Sequence, residues 1–361
     1  MAPLWIIGVC LMAGLLFRRF SIIPENGAKV LSGYIIYVAL PALVLLHVHE
    51  LKWDHSLIFA ALMPHWIFGL SWIVFRVLGK RTGLKKSTIV CLTLTAGLGN
   101  TSFVGLPMIQ AFFGAEHLGT GILIDQAGSF LCLSTFGMLY LLVSSEKIES
   151  EKKLFIEDGQ KVKAAKSNIN PKKEIGANSA TSGIKVAEVS AGNRAILKRV
   201  LTFPPFIALA VALALYPFEY SETLQQVLSS IGSTLTPVAM VAVGFQIRFR
   251  SLAGRIFSLS TGLLFRLILT PALVTFMALI VGPYGAGLWS WDATATAAGA
   301  GWPPAIQITI FEAAMPPMIT AGILCVEYDM DPELAGLMLG LGIPLSFLTL
   351  PLVHLFLTSG F

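Results

Sequence analysis

Three side chains inside apolar stretches of this sequence can carry a charge: Asp125, Arg266 and Glu312. Each costs about 2.5–3.5 kcal/mol at the centre of a lipid-spanning helix, so each is a candidate for function by default. Glu312 lies four residues before the double proline Pro316-Pro317, on the same helical face. A carboxyl at such a break could take up and release a proton. The alternative for Glu312 is a carboxyl that stays protonated and only packs.

Asp125 is followed directly by an amide side chain, that of Gln126. Both could line the same cavity as Glu312, but a structural ion pair between Asp125 and Arg266 is an equal alternative. Arg266 could also extend towards the membrane surface, and a structural role is the preferred interpretation for it. The candidates for proton or ion coupling are Glu312, Asp125, Gln126 and Arg266.

A second group of candidates lies in the stretch GLGNTSFVGLP, residues 97–107, inside an apolar run from about Ser87 to Phe113. Glycine and proline weaken or break a helix there. Non-helical backbone at membrane depth persists only where protein covers it or where it lines a wet cavity. Interrupted helices near the bilayer midplane are the best indication of a transporter binding site in a sequence.

A matching interruption occurs at Pro316-Pro317, in the middle of residues 303–327. Two such breaks would bring half-helix N-termini together, and their unpaired N–H groups favour an anionic ligand. The Asn100 amide can donate and accept hydrogen bonds, which suits a carboxylate or carbonyl. A simple proline kink and a helix-packing role for Asn100 are the alternatives. The predicted substrate-binding residues are Asn100, Thr101, Gly105, Pro107, Glu312, Pro316 and Gln307.

The elements that must position these residues are membrane-spanning helices. The chain of 361 residues is 55% hydrophobic and 12% charged, with mean hydropathy +0.77, whereas soluble domains are about 25% charged. Windows of about 20 apolar residues predict an all-α integral membrane protein with ten spans. The spans are residues 3–17, 28–48, 56–78, 87–113, 117–143, 200–218, 223–247, 256–282, 303–327 and 333–357.

The hydrophilic segment 144–199 divides the spans into two five-helix halves, residues 1–143 and 200–361. With this linker in the cytoplasm, all but two of the 25 Lys and Arg residues fall on the inside or in the linker. The exceptions are Lys52 and Arg266. This positive-inside pattern predicts a multi-pass protein of the plasma or inner membrane with both termini outside. The net charge of +5 therefore indicates topology, and no nucleic-acid partner is expected.

Because five is odd, the second half enters the membrane inverted relative to the first. Prolines recur in the same order in spans 1 to 4 and in spans 6 to 9, which favours a 5+5 inverted repeat with broken helices 4 and 9. These prolines are Pro3, Pro41, Pro64 and Pro107, then Pro204-Pro205, Pro237, Pro271 and Pro316-Pro317.

Signals of soluble enzymes are absent from the sequence. There is no Walker loop, GxSxG, HExxH or dinucleotide fingerprint, and the four cysteines have no metal-ligand spacing. No enzymatic activity, cofactor or metal is expected.

Two motifs resemble those of a known family. GNTSFVGLPMIQAFFG and EAAMPPMITAGILCVEYDMDP resemble the span-4 and span-9 motifs of auxin efflux carriers, in the superfamily that includes bile-acid carriers. ALPALVL and TPVAMVAVGFQI are similar to further family segments. The resemblance implies that spans 4 and 9 cross at their breaks, carrying Asn100, Pro107 and Pro316. It also implies a scaffold of spans 1, 2, 6 and 7 beside a transport domain of spans 3–5 and 8–10.

In function, the resemblance implies elevator-type transport of a small carboxylate, either auxin or a dicarboxylate such as malate or malonate. Glu312 departs from the neutral glutamine expected in plant carriers, which favours proton coupling here. A sodium-coupled organic anion symporter of the same fold and a ligand-sensing membrane module are the alternatives. The expected partners are the organic anion, the lipid bilayer, protons or sodium, and a second copy in a homodimer.

Overall fold

A computed structural model describes residues 2–49, 51, 55–148, 202–247, 254–284 and 302–359. These residues are helical with no strand among them, apart from an isolated β-bridge between Gly99 and Pro317. The prediction of an all-α protein is confirmed for this part of the chain. The predicted linker, residues 144–199, lies outside the described residues from residue 149 onward.

The helices follow the predicted spans closely. They are α1 (Ala2–Arg19), α2 (Gly27–His49), α3 (Ser56–Thr82), α4 (Lys86–Gly97), α5 (Thr101–Phe112), α6 (Ala115–Ile148), α7 (Pro204–Ala214), α8 (Glu222–Gln246), α9 (Ile256–Leu264, continued through Phe265–Leu269 and Thr270–Tyr284), α10 (Pro304–Ala313), α11 (Ile319–Glu327) and α12 (Pro332–Thr358).

Within the described part of the chain, six helices are long and apolar enough to cross a membrane: α2, α3, α6, α8, α9 and α12. The others are shorter, and α4 with α5 and α10 with α11 divide the predicted spans 4 and 9 into halves. The count of ten spans and the inverted repeat stay predictions.

The helix ends use ordinary capping chemistry. Ser221 Oγ accepts a hydrogen bond from Leu224 N at 3.3 Å at the start of α8, and Asp331 Oδ1 accepts one from Leu334 N at 3.4 Å at the start of α12. Gly83 ends α3 in the left-handed conformation, at φ 70°.

Several helices contain π turns, which widen the helix locally and often occur at functional sites. One begins α5 at Thr101–Gly105, one lies in α6 at Ile124–Phe130, and one lies in α9 at Phe265–Leu269. The turns in α6 and α9 hold Asp125 and Arg266. Irregular helix therefore coincides with two of the three charged candidates, whereas Glu312 lies in the regular helix α10.

Helix contacts fall into two groups. In the first, α1 packs along Leu235–Gln246 of α8, and α2 packs on α7 and α8. In the second, α3 packs on α4, α6 and α10, while α12 packs on α4, α9 and α11. Contacts between the groups run from α8 to α5 and from α2 to α6. We call these the α1/α2/α7/α8 group and the α3–α6/α9–α12 group.

Candidate functional site

The two interrupted segments contact each other through their backbones. Asn100 N donates a hydrogen bond to Pro316 O at 2.8 Å, and Met318 N donates to Leu98 O at 3.0 Å. These bonds flank the bridge between Gly99 and Pro317. They supply partners for backbone groups that the ends of α4 and α10 would otherwise leave unpaired at membrane depth.

Asn100 caps α5 and keeps part of its amide unused. Its Oδ1 accepts from Phe103 N at 3.2 Å, and its backbone carbonyl accepts from Gly105 N at 3.0 Å. The side chain is buried, and Nδ2 has no hydrogen-bond partner among the described residues. A buried amide that keeps a donor unpaired is costly, so Asn100 Nδ2 stays a candidate contact for a ligand.

Asp125 is held by three donors. Thr101 Oγ1 and Ser102 Oγ each donate to Oδ1 at 2.5 Å, and Gln126 Nε2 donates to Oδ2 at 2.6 Å. The residue is buried, so these bonds offset the loss of water around the carboxyl. They also tie the π turn of α6 to the first residues of α5.

Arg266 reaches the end of α10 from the π turn of α9. Its Nε donates to Met315 O at 2.7 Å and its Nη2 to Glu312 O at 3.3 Å. The guanidinium passes over Gly99, where an added Cβ would lie 3.0 Å from Cζ and closer still to Nη2. Asp125 and Arg266 therefore have separate partners, and the alternative of a direct ion pair between them is not the arrangement found.

Glu312 is fully buried beside Gly105 and Gly121. A Cβ at Gly105 would lie 2.8 Å from Glu312 Cδ, and one at Gly121 would lie 3.7 Å from Oε1. Neither carboxyl oxygen has a hydrogen-bond partner in the described part of the chain. The side chain interacts electrostatically with Asp125 and with Arg266.

A cavity of about 190 Å³ lies between the two helix groups and reaches Ser102 and Asp125, while Asn100, Arg266 and Glu312 lie behind its lining. Its walls include Ile36 and Leu40 of α2, Ser102 and Asp125 of the cluster, and Met318 and Thr320 beside the second break. Phe130 of α6 and Phe203, just before α7, stack across it with ring centroids 3.8 Å apart. The cavity offers hydroxyl groups and aromatic faces together.

Two further predicted site residues, Pro107 and Gln307, lie in the helices next to the two breaks. Pro107 is buried in the first turn of the α-helical part of α5, after the π turn. Gln307 Nε2 donates to Trp302 O at 2.7 Å near the start of α10, so its role in binding stays a prediction.

Sequence reasoning missed Ser102, Gly99 and Ser129. Ser102 binds Asp125, Gly99 leaves room for Arg266, and Ser129 Oγ is buried with no hydrogen-bond partner among the residues described. Ser102 and Gly99 lie in the stretch that the sequence singled out, so only their partners were hidden. Ser129 follows Asp125 by one helical turn, which was a usable signal.

Comparisons with known proteins cover nearly the whole chain. A family model described as "Membrane transport protein" matches residues 1–354. An uncharacterized transporter of Methanothermobacter thermautotrophicus is 22% identical over 352 residues, which is 95% of this chain and 94% of that protein. An uncharacterized transporter of Methanocaldococcus jannaschii is 22% identical over 340 residues, 91% of this chain and 89% of that protein.

Proposed function

Because the chain belongs to the membrane transport protein family, it is a multi-pass membrane transporter and not an enzyme, and we propose that it carries a small organic anion. The family match also confirms the resemblance to auxin efflux carriers and their superfamily. We propose a secondary transporter whose substrate is a carboxylate, either auxin-like or a dicarboxylate. The chemistry of the two breaks is the basis for this choice.

The observation that carries the proposal is the buried Asn100 amide, whose Nδ2 lacks a hydrogen-bond partner among the described residues. It lies where the two broken segments pair, beside Ser102, which lines the cavity. A carboxylate oxygen accepts hydrogen bonds only, so it complements an unpaired amide N–H. The positive charge of Arg266, held at the same break, further favours an anion over a cation there.

The cavity limits the size of the substrate. Its volume is about 190 Å³. This space suits a small carboxylate and is below the range of about 300–1,000 Å³ typical of drug-sized ligands.

The proposed movement is of the elevator type. The α3–α6/α9–α12 group would carry the anion past the α1/α2/α7/α8 group. The reason is that the cavity lies between the two groups and both paired breaks belong to the α3–α6/α9–α12 group. The proposal includes the 5+5 inverted repeat, both termini outside and the linker in the cytoplasm.

Glu312 is the proposed proton carrier. A carboxyl with no hydrogen-bond partner in the described residues can bind or lose a proton without breaking such a bond. Asp125, in contrast, would lose accepted hydrogen bonds on protonation. This difference favours Glu312 over Asp125 as the proton carrier.

Uptake into proteoliposomes tests the proposal. We expect purified protein to accumulate one of indole acetate, malate or malonate, and Asn100→Ala to lower the rate by about tenfold or more, since a hydrogen bond to a charged group is worth about 1.5–3 kcal/mol. Asn26→Ala is the matched control, because Asn26 is exposed at the start of α2 and its side chain makes no capping bond. Equal uptake by Asn100→Ala and Asn26→Ala would contradict the assignment.

Two alternatives differ in measurable ways. Asp125, Thr101 and Ser102 gather oxygen atoms of the type that bind Na⁺, and a sodium-coupled symporter would require a sodium gradient for accumulation. A ligand-sensing module would bind a carboxylate and raise the melting temperature without exchanging it across the membrane.

A further inference from the structure

Helix α10 ends against a guanidinium group. The last carbonyl groups of a helix have no partner within it and carry partial negative charge. Here the carbonyl of Met315, just beyond the helix end, accepts a hydrogen bond from Arg266 Nε at 2.7 Å. The carbonyl of Glu312, in the last turn, accepts one from Arg266 Nη2 at 3.3 Å in addition to the backbone hydrogen bond from Met315 N at 3.1 Å. A permanently charged side chain thus occupies the negative end of the broken helix.

Exposed carbonyl groups at a helix break are, as a general rule, where transporters with discontinuous helices bind Na⁺ or protons. Carbonyl oxygens can replace the water around a cation when several of them converge. In this protein the corresponding carbonyls already have a cationic partner. A bound metal ion would supply only positive charge at these carbonyls. The guanidinium supplies positive charge and also N–H groups that point at the carbonyl oxygens.

The surrounding structure makes room for this guanidinium. Gly99 has no side chain where an added Cβ would lie 3.0 Å from Cζ of Arg266. The π turn Phe265–Leu269 places Arg266 in the core of the protein, and Thr270 Oγ1 donates to Phe265 O at 2.8 Å. Two independent features of the backbone therefore accommodate one side chain.

The charge of Arg266 is isolated from water. It is the only lysine or arginine that is buried among the residues the structure describes. Its electrostatic partner is Glu312, whose carboxyl oxygens make no hydrogen bond within the described residues. A neutral side chain at position 266 would leave the carbonyls of Glu312 and Met315 without these donors.

The geometry points to Arg266 as a built-in cation that holds the end of α10 at the break, in place of a bound metal ion. Arg266 is a positioning residue: it acts on the substrate through the backbone that it fixes. The break therefore needs no Na⁺ or K⁺ to keep its shape. The inference rests on the proposed transport function for the uptake experiment below, but not for the melting experiment.

The melting experiment uses purified protein in a buffer whose only salt is choline chloride. We expect Arg266→Ala to melt at a lower temperature than wild type, and millimolar guanidinium chloride to restore part of the difference. The same concentration of urea, which is neutral, should restore none of it. Arg76→Ala is the matched control, because Arg76 is exposed on α3 over the Trp72 ring. Neither it nor wild type should respond to guanidinium.

The uptake experiment uses the same variants in proteoliposomes. We expect Arg266→Ala to lose about tenfold or more of its uptake, since two hydrogen bonds from a charged donor are removed, and to regain part of it with guanidinium. Arg266→Lys should be intermediate, because an ammonium lacks the planar fork that reaches two carbonyls. Wild-type uptake should be equal in sodium and in choline buffers.

Several results would overturn the inference. One is an Arg266→Ala protein that melts and transports like wild type, and another is an Arg266→Ala protein on which guanidinium acts no better than urea. A third is wild-type protein that sodium stabilises saturably at millimolar concentration. If the Arg266→Ala protein cannot be produced in a folded form, the Gly99→Ala variant replaces it in both experiments. Its added Cβ displaces the guanidinium, so it should lower the melting temperature, and an unchanged melting temperature would refute the inference.

The two proposals fail separately. If wild type transports none of the carboxylates but guanidinium still restores the melting temperature of Arg266→Ala, only the proposed function is wrong. If uptake is robust and guanidinium has no effect on Arg266→Ala, only the role of Arg266 is wrong.

Discussion

The proposed proton coupling predicts how many protons move with each anion, because the two buried carboxyls differ in their hydrogen bonds. Asp125 accepts hydrogen bonds on both oxygens, whereas Glu312 accepts none from the described residues. Of these two carboxyls, only Glu312 can change protonation without losing such bonds, so we predict one proton per anion. One pH unit is worth about 1.36 kcal/mol per proton. At zero membrane potential, each unit of pH difference should accumulate the anion about tenfold in the more alkaline compartment.

The assay measures equilibrium accumulation in proteoliposomes over a series of imposed pH differences, with the membrane potential held at zero by potassium and valinomycin. Protein-free liposomes correct for passive passage of the neutral acid. In Glu312→Gln the ratio should stay near one at every pH difference, because an amide cannot be protonated in this range. Glu327→Gln is the matched control, since Glu327 is exposed at the end of α11.

Two results would refute this reasoning. Glu312→Gln protein that still accumulates the anion in proportion to the pH difference would remove Glu312 from the coupling. A wild-type slope of about a hundredfold per pH unit would mean two protons, and Asp125 would then have to titrate despite its three donors.

Two further predictions concern stability. Gly14→Ala should lower the melting temperature, because the added Cβ would lie 2.8 Å from Phe245 N, and overpacking costs about 1–3 kcal/mol. Gly8→Ala on the same helix is the control, because its added Cβ meets nothing within 4 Å and should leave the melting temperature unchanged. Asp331→Ala should lower the free energy of unfolding in denaturant by about 1–3 kcal/mol, because it removes the cap of α12 and the buried carboxylate that lies 2.7 Å from Arg255. The KM of uptake should stay unchanged.

The two breaks were predictable from sequence because their causes are local. Glycine at 97, 99 and 105 and the double proline at 316 weaken a helix wherever it lies, and both stretches are interrupted in the structure. The cost of burying Asp125, Arg266 and Glu312 was equally visible, because it depends only on residue type and an apolar surrounding sequence.

The partners of those residues were not predictable in the same way. Arg266 and Met315 are 49 positions apart, and no local pattern assigns a guanidinium to a carbonyl at the end of another helix. The π turns were also not predicted from the sequence, because they differ from an α-helix by small dihedral changes and have no residue signature. The alternative of an ion pair between Asp125 and Arg266 considered only their opposite charges and not the backbone acceptors at the break.

The buried polar groups differ in whether they have hydrogen-bond partners, and this difference suggests different roles for them. Natural proteins leave buried polar atoms unpaired mainly where function requires it, because each such atom costs about 1–3 kcal/mol. Asp125 accepts three hydrogen bonds from Thr101, Ser102 and Gln126, and Arg266 donates two to carbonyls at the end of α10. Within the described residues, Asn100 Nδ2 and both Glu312 oxygens have none. Under the proposed function, the unpaired oxygens of Glu312 are the atoms that bind and release a proton during the transport cycle.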